Sequence, residues 1–225
     1  MMKRYCAAID ILTIIVIPVA LWFAFFYAPV EARTGIVQKI FYFHVASAWV
    51  GFGALFTTFV CSIIFLVKRN HFSDDLAAAS AEIGLLFCTV VLLTGMIWAK
   101  STWGAWWTWD PRLTTSLMLW FIYSGYLFLR KFTDDSEKRG KYSAVLGIIG
   151  FFDVPVVFFS IRWWRTIHPN VVQQGGGGMH PKMMTAMFVA IAAFTLLYVS
   201  LVNKRMRLAA LERKYYFKDL EDKNG

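Results

Sequence analysis

Charged residues are scarce in this sequence. Asp, Glu, Lys and Arg together make up 16% of its 225 residues, whereas hydrophobic residues make up 58%. A typical soluble domain has about 25% charged residues, so this composition does not fit a water-exposed globular fold. The lipid bilayer is the solvent that fits it.

Long apolar runs account for most of the chain. They cover residues 8–28, 41–67, 76–99, 113–129, 143–161 and 183–202. Because about 20 apolar residues cross the hydrocarbon core as a helix, each run predicts one transmembrane helix. The first run is too long for the apolar part of a signal peptide, so we interpret it as a retained helix. The predicted fold is all-α: residues 1–225 form a single integral membrane domain, a bundle of about six transmembrane helices.

Cysteine is also rare, and Cys6, Cys61 and Cys88 all lie in or beside apolar runs. Their number is odd and no two are spaced as Cys-x-x-Cys, so we predict buried thiols rather than disulfides or metal ligands. The sequence also lacks a G-x-x-x-x-G-K segment, the loop that cradles nucleotide phosphates. Any dependence on ATP is therefore expected to come from a partner.

The net charge of +9 fits either a nucleic-acid partner or an asymmetric membrane topology. If both termini are cytoplasmic, 16 of the 23 basic residues fall on that side, seven of them in a basic tail over residues 203–225. The other side then holds Arg33, Lys39, Lys100, Arg112, Arg162, Arg165 and Lys182. This bias follows the positive-inside rule, so we predict a lipid environment and no nucleic-acid partner.

A tryptophan-rich loop, residues 100–112, joins the third and fourth predicted helices. Its distinctive residues are Trp103, Gly104, Trp106, Trp107, Trp109 and Asp110. A single indole at this depth is best explained as an interfacial anchor. Four indoles within seven positions instead form a platform for a flat hydrophobic ligand, and a porphyrin fits that description. Asp110 followed by Pro111 also predicts the N-cap and first residue of the fourth helix.

Two of the four histidines are candidate ligands on the same side. His44 lies near the outer end of the second helix, where a polar side chain inside a membrane usually marks a site. His168 lies in the outer loop over residues 162–182. A haem iron accepts one imidazole on each face, so we predict His44 and His168 as its axial ligands. His180 is a third candidate, whereas His71 falls on the cytoplasmic side.

Other polar residues near these loops have more than one interpretation. The basic residues at the loop ends fit haem propionates, because arginine binds carboxylates in a bidentate fork. Snorkelling at helix ends explains them equally well. They are Lys100, Arg112, Arg162 and Arg165. Asp153 lies deep in the fifth run, where an ionised carboxylate is costly, and its role stays open.

The segment from Trp103 to Thr114 resembles the tryptophan-rich WWD signature of haem-handling membrane proteins. The signature lies between the third and fourth of six helices, with one histidine before it in FYFHV and one after it in RWWRTIHP. This arrangement is similar to the cytochrome c maturation haem-handling protein C family, over nearly the whole chain. Larger proteins of the same superfamily have many more helices and further histidines, for which this chain is too short.

The resemblance implies that haem b is a transient cargo, held at the periplasmic face of the bacterial inner membrane between the loop, His44 and His168. It implies a chain that is not an enzyme and that passes haem to a membrane-tethered periplasmic haem chaperone. An ABC-type ATPase, a second permease subunit and a small single-helix subunit are the implied partners. The six loop residues named above are then expected to contact haem or the chaperone.

Two other functions fit part of the sequence. A haem-b electron-transfer subunit usually has histidines one above another on its helices, whereas the candidate ligands here all lie near one surface. A permease for another solute requires polar residues along a path through the helices. Asp153 and Glu82 are the acidic candidates well inside the predicted spans.

Overall fold

A computed structural model of the chain describes residues 2–32, 34–168 and 179–224, with side chains from Tyr5 to Tyr215 within those ranges. The helices are α1 (Met2–Trp22), α2 (Ile40–Lys68), α3 (His71–Trp103), α4 (Pro111–Phe132), α5 (Ser136–Phe151), α6 (Asp153–Trp163) and α7 (Pro181–Asn224). A π-helical turn, Phe23–Tyr27, follows α1, and a 3-10 turn, Ile36–Lys39, precedes α2. The described ranges contain helices and no β-strand, so the all-α prediction is confirmed. Arg33 and residues 169–178 of the predicted outer loop lie outside the described residues.

Local sequence sets the helix ends. The side chains of Asn70, Asp110 and Asp135 accept backbone N–H groups in the first turns of α3, α4 and α5 respectively, and so cap these helices. Pro111 occupies the start of α4, where a missing N–H costs nothing, so the predicted N-cap is confirmed. α3 ends at Trp103, and its C-cap Gly104 has a left-handed φ of +76°, which favours a residue without Cβ. The tryptophan-rich loop between the helices is therefore shorter than predicted, residues 104–110.

Six helical passages make up the bundle. Among the described residues, five stretches are long and apolar enough to cross a membrane: Tyr5–Tyr27, Ile36–Lys68, His71–Trp103, Ser136–Trp163 and Pro181–Tyr215. α4 is more polar, but its 22 residues extend about 33 Å. Since α4 packs against α3, α5 and α6, it forms the remaining passage. The chain is a multi-pass membrane protein, and the predicted tail continues α7 as a helix.

The fifth passage consists of two helices rather than one. α5 ends at Phe151 and α6 begins at Asp153. Pro155 lacks an N–H, and its ring clashes with the carbonyl four residues earlier, which belongs to Phe151, so the helix breaks there. Asp153 therefore lies at a helix break, and its buried Oδ2 has no hydrogen-bond partner among the described residues.

Small residues allow the central helix, α2, to approach its neighbours α3 and α5. A Cβ on Gly84 of α3 would lie 2.9 Å from the Leu55 side chain of α2. A Cβ on Gly147 of α5 would lie 3.0 Å from Ser62 Oγ of α2. Membrane helices have no hydrophobic driving force toward each other, so close backbone approach is what stabilises such contacts.

Ion pairs gather at one end of the bundle, which we call the ion-paired end. Arg130 of α4 donates two hydrogen bonds to Asp74 of α3, at 2.6 and 2.9 Å. Lys204 of α7 lies 3.2 Å from Asp10 of α1. The beginning of α1 and the far part of α7 therefore lie at the same end, as an even number of passages requires.

The three cysteines carry free thiols. Cys61 is buried, whereas Cys6 and Cys88 are partly buried. The prediction of buried thiols is therefore right for Cys61 and too strong for the other two. Cys6 is accessible because α1 lies at the edge of the bundle, with most of its surface uncovered.

Candidate functional site

A cavity of about 820 Å³ lies at the end of the bundle opposite the ion pairs. Its walls come from α2, α3, α4 and α6, from the α1–α2 connection, and from residues beside and within the start of α7. Most of the lining side chains are Val, Leu, Ile, Phe, Met or Ala. The volume falls in the range of cofactor and small-molecule sites, roughly 300–1,000 Å³.

The cavity reaches from the outer loops toward the middle of the bundle. Along α2 its lining extends from Ile40 to Phe52, which is about 18 Å of helix. Farther along, Leu55, Leu119 and Tyr123 are packed and at most 2% exposed. The cavity is therefore closed toward the ion-paired end.

Three histidines line this one cavity. His44 comes from α2, His168 from the segment after α6, and His180 from just before α7. His71 begins α3, and 20 residues of that helix, about 30 Å, separate it from Val91, the first residue of α3 that lines the cavity. The structure thus brings the two predicted ligands to one site and places His71 at the opposite end, as predicted.

The ring nitrogens of His44 and His180 have different partners. Nδ1 of His180 accepts the backbone N–H of Lys182 at 3.2 Å, at the start of α7. A neutral ring that accepts at Nδ1 has its proton on Nε2, so His180 offers the cavity a donor rather than a lone pair. Nδ1 of His44 instead lies 3.0 Å from the Thr94 hydroxyl of α3.

Asp110 is buried between the tryptophan-rich loop and the segment that carries His168. Its Oδ1 accepts the Arg112 backbone N–H at 3.0 Å. Its Oδ2 accepts the Thr166 hydroxyl at 2.6 Å and the Ile167 N–H at 2.9 Å. The Thr166 hydroxyl oxygen in turn accepts the backbone N–H of His168 at 3.0 Å. Asp110 does not line the cavity, but its hydrogen bonds fix the backbone beside His168, which does.

The four indoles of the tryptophan-rich segment have different surroundings. Trp103 is the last residue of α3, and the other three lie in the loop that follows. Trp103 and Trp107 line the cavity, and the buried Trp107 Nε1 has no hydrogen-bond partner among the described residues. Trp106 and Trp109 are 54% and 75% exposed. Trp109 packs edge-to-face against Trp107, with ring centroids 5.8 Å apart, but does not itself line the cavity. The four indoles therefore do not form one platform: two belong to the cavity wall and two to the outer surface.

Arg112 is the one of the four predicted propionate partners that lines the cavity. Its guanidinium makes no hydrogen bond or ion pair with the described residues. Lys100 instead donates to the Gly104 carbonyl at 3.0 Å, and Arg162 and Arg165 are exposed. For these last three residues, the helix-end interpretation agrees better with the structure.

The acidic residues considered for a permease path do not line the cavity either. Glu82 binds Arg205 at 2.7 Å, toward the ion-paired end. Asp153 lies at the α5–α6 break, outside the cavity lining. These two carboxylates therefore do not mark a continuous polar path.

Sequence reasoning missed the wall that α3 contributes to the cavity. Thr94, Gly95 and Met96 lie within an apolar run, where a threonine normally satisfies its own hydroxyl on the preceding helical turn. The sequence feature that pointed to this wall was Thr94 followed by Gly95, at about the same depth in the membrane as His44. Its meaning depends on the packing of α3 against α2, which one sequence does not reveal.

The chain is similar to known proteins over most of its length. The family model described as Heme exporter protein C matches residues 1–220. The heme exporter protein C of Bradyrhizobium diazoefficiens is 35% identical over 189 residues, 83% of this chain and 72% of that protein. The Escherichia coli K12 protein of the same name is 33% identical over 197 residues, 88% and 80% of the two chains. A putative cytochrome c biosynthesis ccmC-like mitochondrial protein of Marchantia polymorpha is 32% identical over 176 residues, 78% and 75% of the two chains.

Proposed function

The chain belongs to the haem exporter protein C family, and on that premise we propose that it binds haem b in the cavity, with His44 and His168 as axial ligands of the iron. The haem is a transient cargo. A membrane-tethered periplasmic haem chaperone receives it during maturation of c-type cytochromes. The chain acts as a haem-handling membrane subunit and not as an enzyme.

Convergence of His44 and His168 on one cavity is the observation that carries the proposal. The two residues come from α2 and from the segment after α6, and haem iron takes one imidazole on each face. The apolar lining suits the macrocycle, and Trp103 and Trp107 supply aromatic faces for it. Trp107 Nε1 is buried and has no partner in the part of the chain that the structure describes; such a group costs roughly 1–3 kcal/mol, which an acceptor on a bound ligand relieves.

Arg112 is the residue that we assign to the haem carboxylates. It is the cavity cation whose guanidinium makes no bond to the described residues. A guanidinium binds a carboxylate through two parallel N–H donors, so it fixes orientation as well as supplying charge. Arg112 thereby orients the cargo while the histidines hold its iron.

We place the cavity on the periplasmic side of the bacterial inner membrane. The opposite end carries the basic excess, including Lys68, Arg69, Arg130, Lys131 and the basic residues of the α7 extension. Cytoplasmic loops of membrane proteins have this excess. Alkaline phosphatase fused after Thr108 is then expected to be active, and the same enzyme fused after Asp135 inactive. The reverse result would place the cavity on the cytoplasmic side.

Work that depends on ATP is assigned to partners. The sequence has no Walker A loop, and the bundle beyond Phe52 is packed, so haem binding here needs neither nucleotide nor a path through this chain. We propose that an ABC-type ATPase, a second permease subunit and a small single-helix subunit complete the complex. ATP use in that complex drives release of the loaded chaperone.

Absorption spectroscopy of the purified protein tests the haem site. The unaltered chain, titrated with iron protoporphyrin IX in detergent, is expected to develop the spectrum of a haem with two imidazole ligands. His44→Ala and His168→Ala are each expected to lose that spectrum, because one face of the iron loses its ligand. His71→Ala is the matched control, since its ring lies at the other end of α3, and it should titrate normally. An unaltered chain that binds no haem, or two histidine variants that keep the spectrum, would overturn the proposal.

A further inference from the structure

α3 supports the His44 ring through two consecutive residues, Thr94 and Gly95. We propose that Thr94 is a positioning residue, which fixes the tautomer and orientation of His44 so that Nε2 is free to bind haem iron. This inference rests on the proposed haem site and adds to it a residue that does not itself bind the iron.

The hydrogen bonds of Thr94 favour one tautomer of the His44 ring. Thr94 Oγ1 lies 2.6 Å from the Val90 carbonyl and 3.2 Å from the Val91 carbonyl, so it donates to the nearer one, Val90, and His44 Nδ1 lies 3.0 Å from the same oxygen. A hydroxyl has a single proton, so with that proton directed at Val90 the oxygen accepts from Nδ1–H. The neutral ring then has its lone pair on Nε2, which is the form that coordinates a metal.

Gly95 provides the space for this arrangement. A Cβ at position 95 would lie 3.3 Å from His44 Cε1 and 3.8 Å from Nδ1. The ring therefore lies against the α3 backbone, where most side chains would hold it away. Hydrogen bonding on one side and close packing on another restrict the ring orientation before any ligand arrives.

A hydrogen bond from Nδ1–H to Thr94 affects the basicity of His44 Nε2 as well as the position of the ring. Histidines that bind metals usually donate their second ring N–H to an acceptor, which raises the basicity of the coordinating nitrogen. Loss of such an acceptor typically weakens metal binding by about 10-fold to 100-fold. The Thr94 oxygen is a good acceptor because its own proton is already engaged by Val90.

Thr94→Val tests the proposal, because valine keeps the shape of the side chain and removes its oxygen. Haem transfer to excess apomyoglobin is expected to be about 10-fold faster or more in this variant. The midpoint potential of the bound haem is expected to rise, since a less basic imidazole stabilises ferric iron less. Thr94→Ser keeps the hydroxyl acceptor, so its haem transfer rate and midpoint potential should be close to those of the unaltered chain.

Thr89→Val is the matched control on the same helix. Thr89 also donates to a carbonyl one turn earlier, Leu85 at 2.9 Å, and also accepts a ring N–H, from Trp120 at 2.9 Å. It does not contact a ligand histidine, so neither haem transfer nor potential should change. A general effect of losing a partly buried threonine hydroxyl would appear in both variants.

Gly95→Ala provides a second variant if Thr94→Val does not accumulate in the membrane. Its Cβ displaces the ring while the Thr94 hydroxyl remains, so haem transfer should again be faster. Unchanged transfer and potential in Thr94→Val, or in Gly95→Ala, with haem binding intact, would overturn the role of α3 and leave the haem site standing. An unaltered chain without haem affinity would overturn both.

Discussion

Asp110 and Thr166 connect the two outer segments that the proposed haem site requires. A hydrogen bond of 2.6 Å from the Thr166 hydroxyl to Asp110 Oδ2 joins the tryptophan-rich loop to the segment that carries His168. The same carboxylate caps α4 through its other oxygen. One residue therefore sets the start of α4 and also holds the segment that carries His168.

Asp110→Ala is expected to weaken haem binding by about 10-fold or more, because the His168 segment loses its anchor. Loss of the cap should also reduce the free energy of unfolding by about 1 kcal/mol. Both are measured on purified protein, by haem transfer to apomyoglobin and by thermal unfolding.

Asp135→Ala is the control for the cap alone. Asp135 accepts the Glu137 and Lys138 N–H groups at 2.9 and 3.1 Å, but makes no bond to the cavity segments. It should lose only the cap contribution, about 1 kcal/mol, and leave haem transfer unchanged, whereas Asp110→Ala also removes the acceptor of the Thr166 hydroxyl and the Ile167 N–H. Equal effects of the two variants on haem would contradict a positioning role for Asp110.

The two pairs of indoles are expected to act at different steps. Trp103→Ala and Trp107→Ala should each weaken haem retention, since a lost aromatic contact is worth about 0.5–1.5 kcal/mol beyond its buried area. Trp106→Ala and Trp109→Ala should retain haem but transfer it poorly to the chaperone, because these rings are exposed. Retention and transfer are measured separately, by absorbance before and after addition of purified chaperone. A uniform effect of all four variants on retention would contradict the division.

His180→Ala is expected to keep both axial ligands of the iron. Its Nδ1 already accepts the Lys182 N–H, and its Nε2 carries the proton. The low-spin absorption spectrum should therefore persist in His180→Ala and disappear in His168→Ala. The opposite pattern would make His180 the second ligand in place of His168.

Arg130→Ala is expected to destabilise the bundle without altering the haem site. Both side chains of the Arg130–Asp74 pair are 14% exposed, and removing one partner leaves a charge that is nearly buried. Breaking such a pair typically costs about 3–5 kcal/mol. Lys138→Ala, which breaks an exposed pair with Asp135, should cost less than about 1 kcal/mol. Thermal unfolding measures the difference, and equal losses would contradict the importance of burial.

Some structural features could be predicted from the sequence alone, and others could not. The apolar runs predicted the helical passages because a bilayer demands a fixed length of continuous apolar helix, whatever the tertiary packing. Asp110 and Pro111 predicted the start of α4, since capping is a local interaction. The break at Phe152 was missed, although Pro155 was visible, because prolines are tolerated in many membrane helices.

The cavity wall from α3 and the separation of the indoles depend on contacts between distant segments. The sequence determined a six-passage helical membrane protein, its charge asymmetry and the types of residue available for haem. Only the tertiary structure decided that His44, His168 and Arg112 share one cavity, that Trp106 and Trp109 lie outside it, and that the Thr94 hydroxyl lies beside His44 Nδ1. Helix length and charge bias are properties of segments in a bilayer, whereas a site depends on which faces the packed helices turn toward each other.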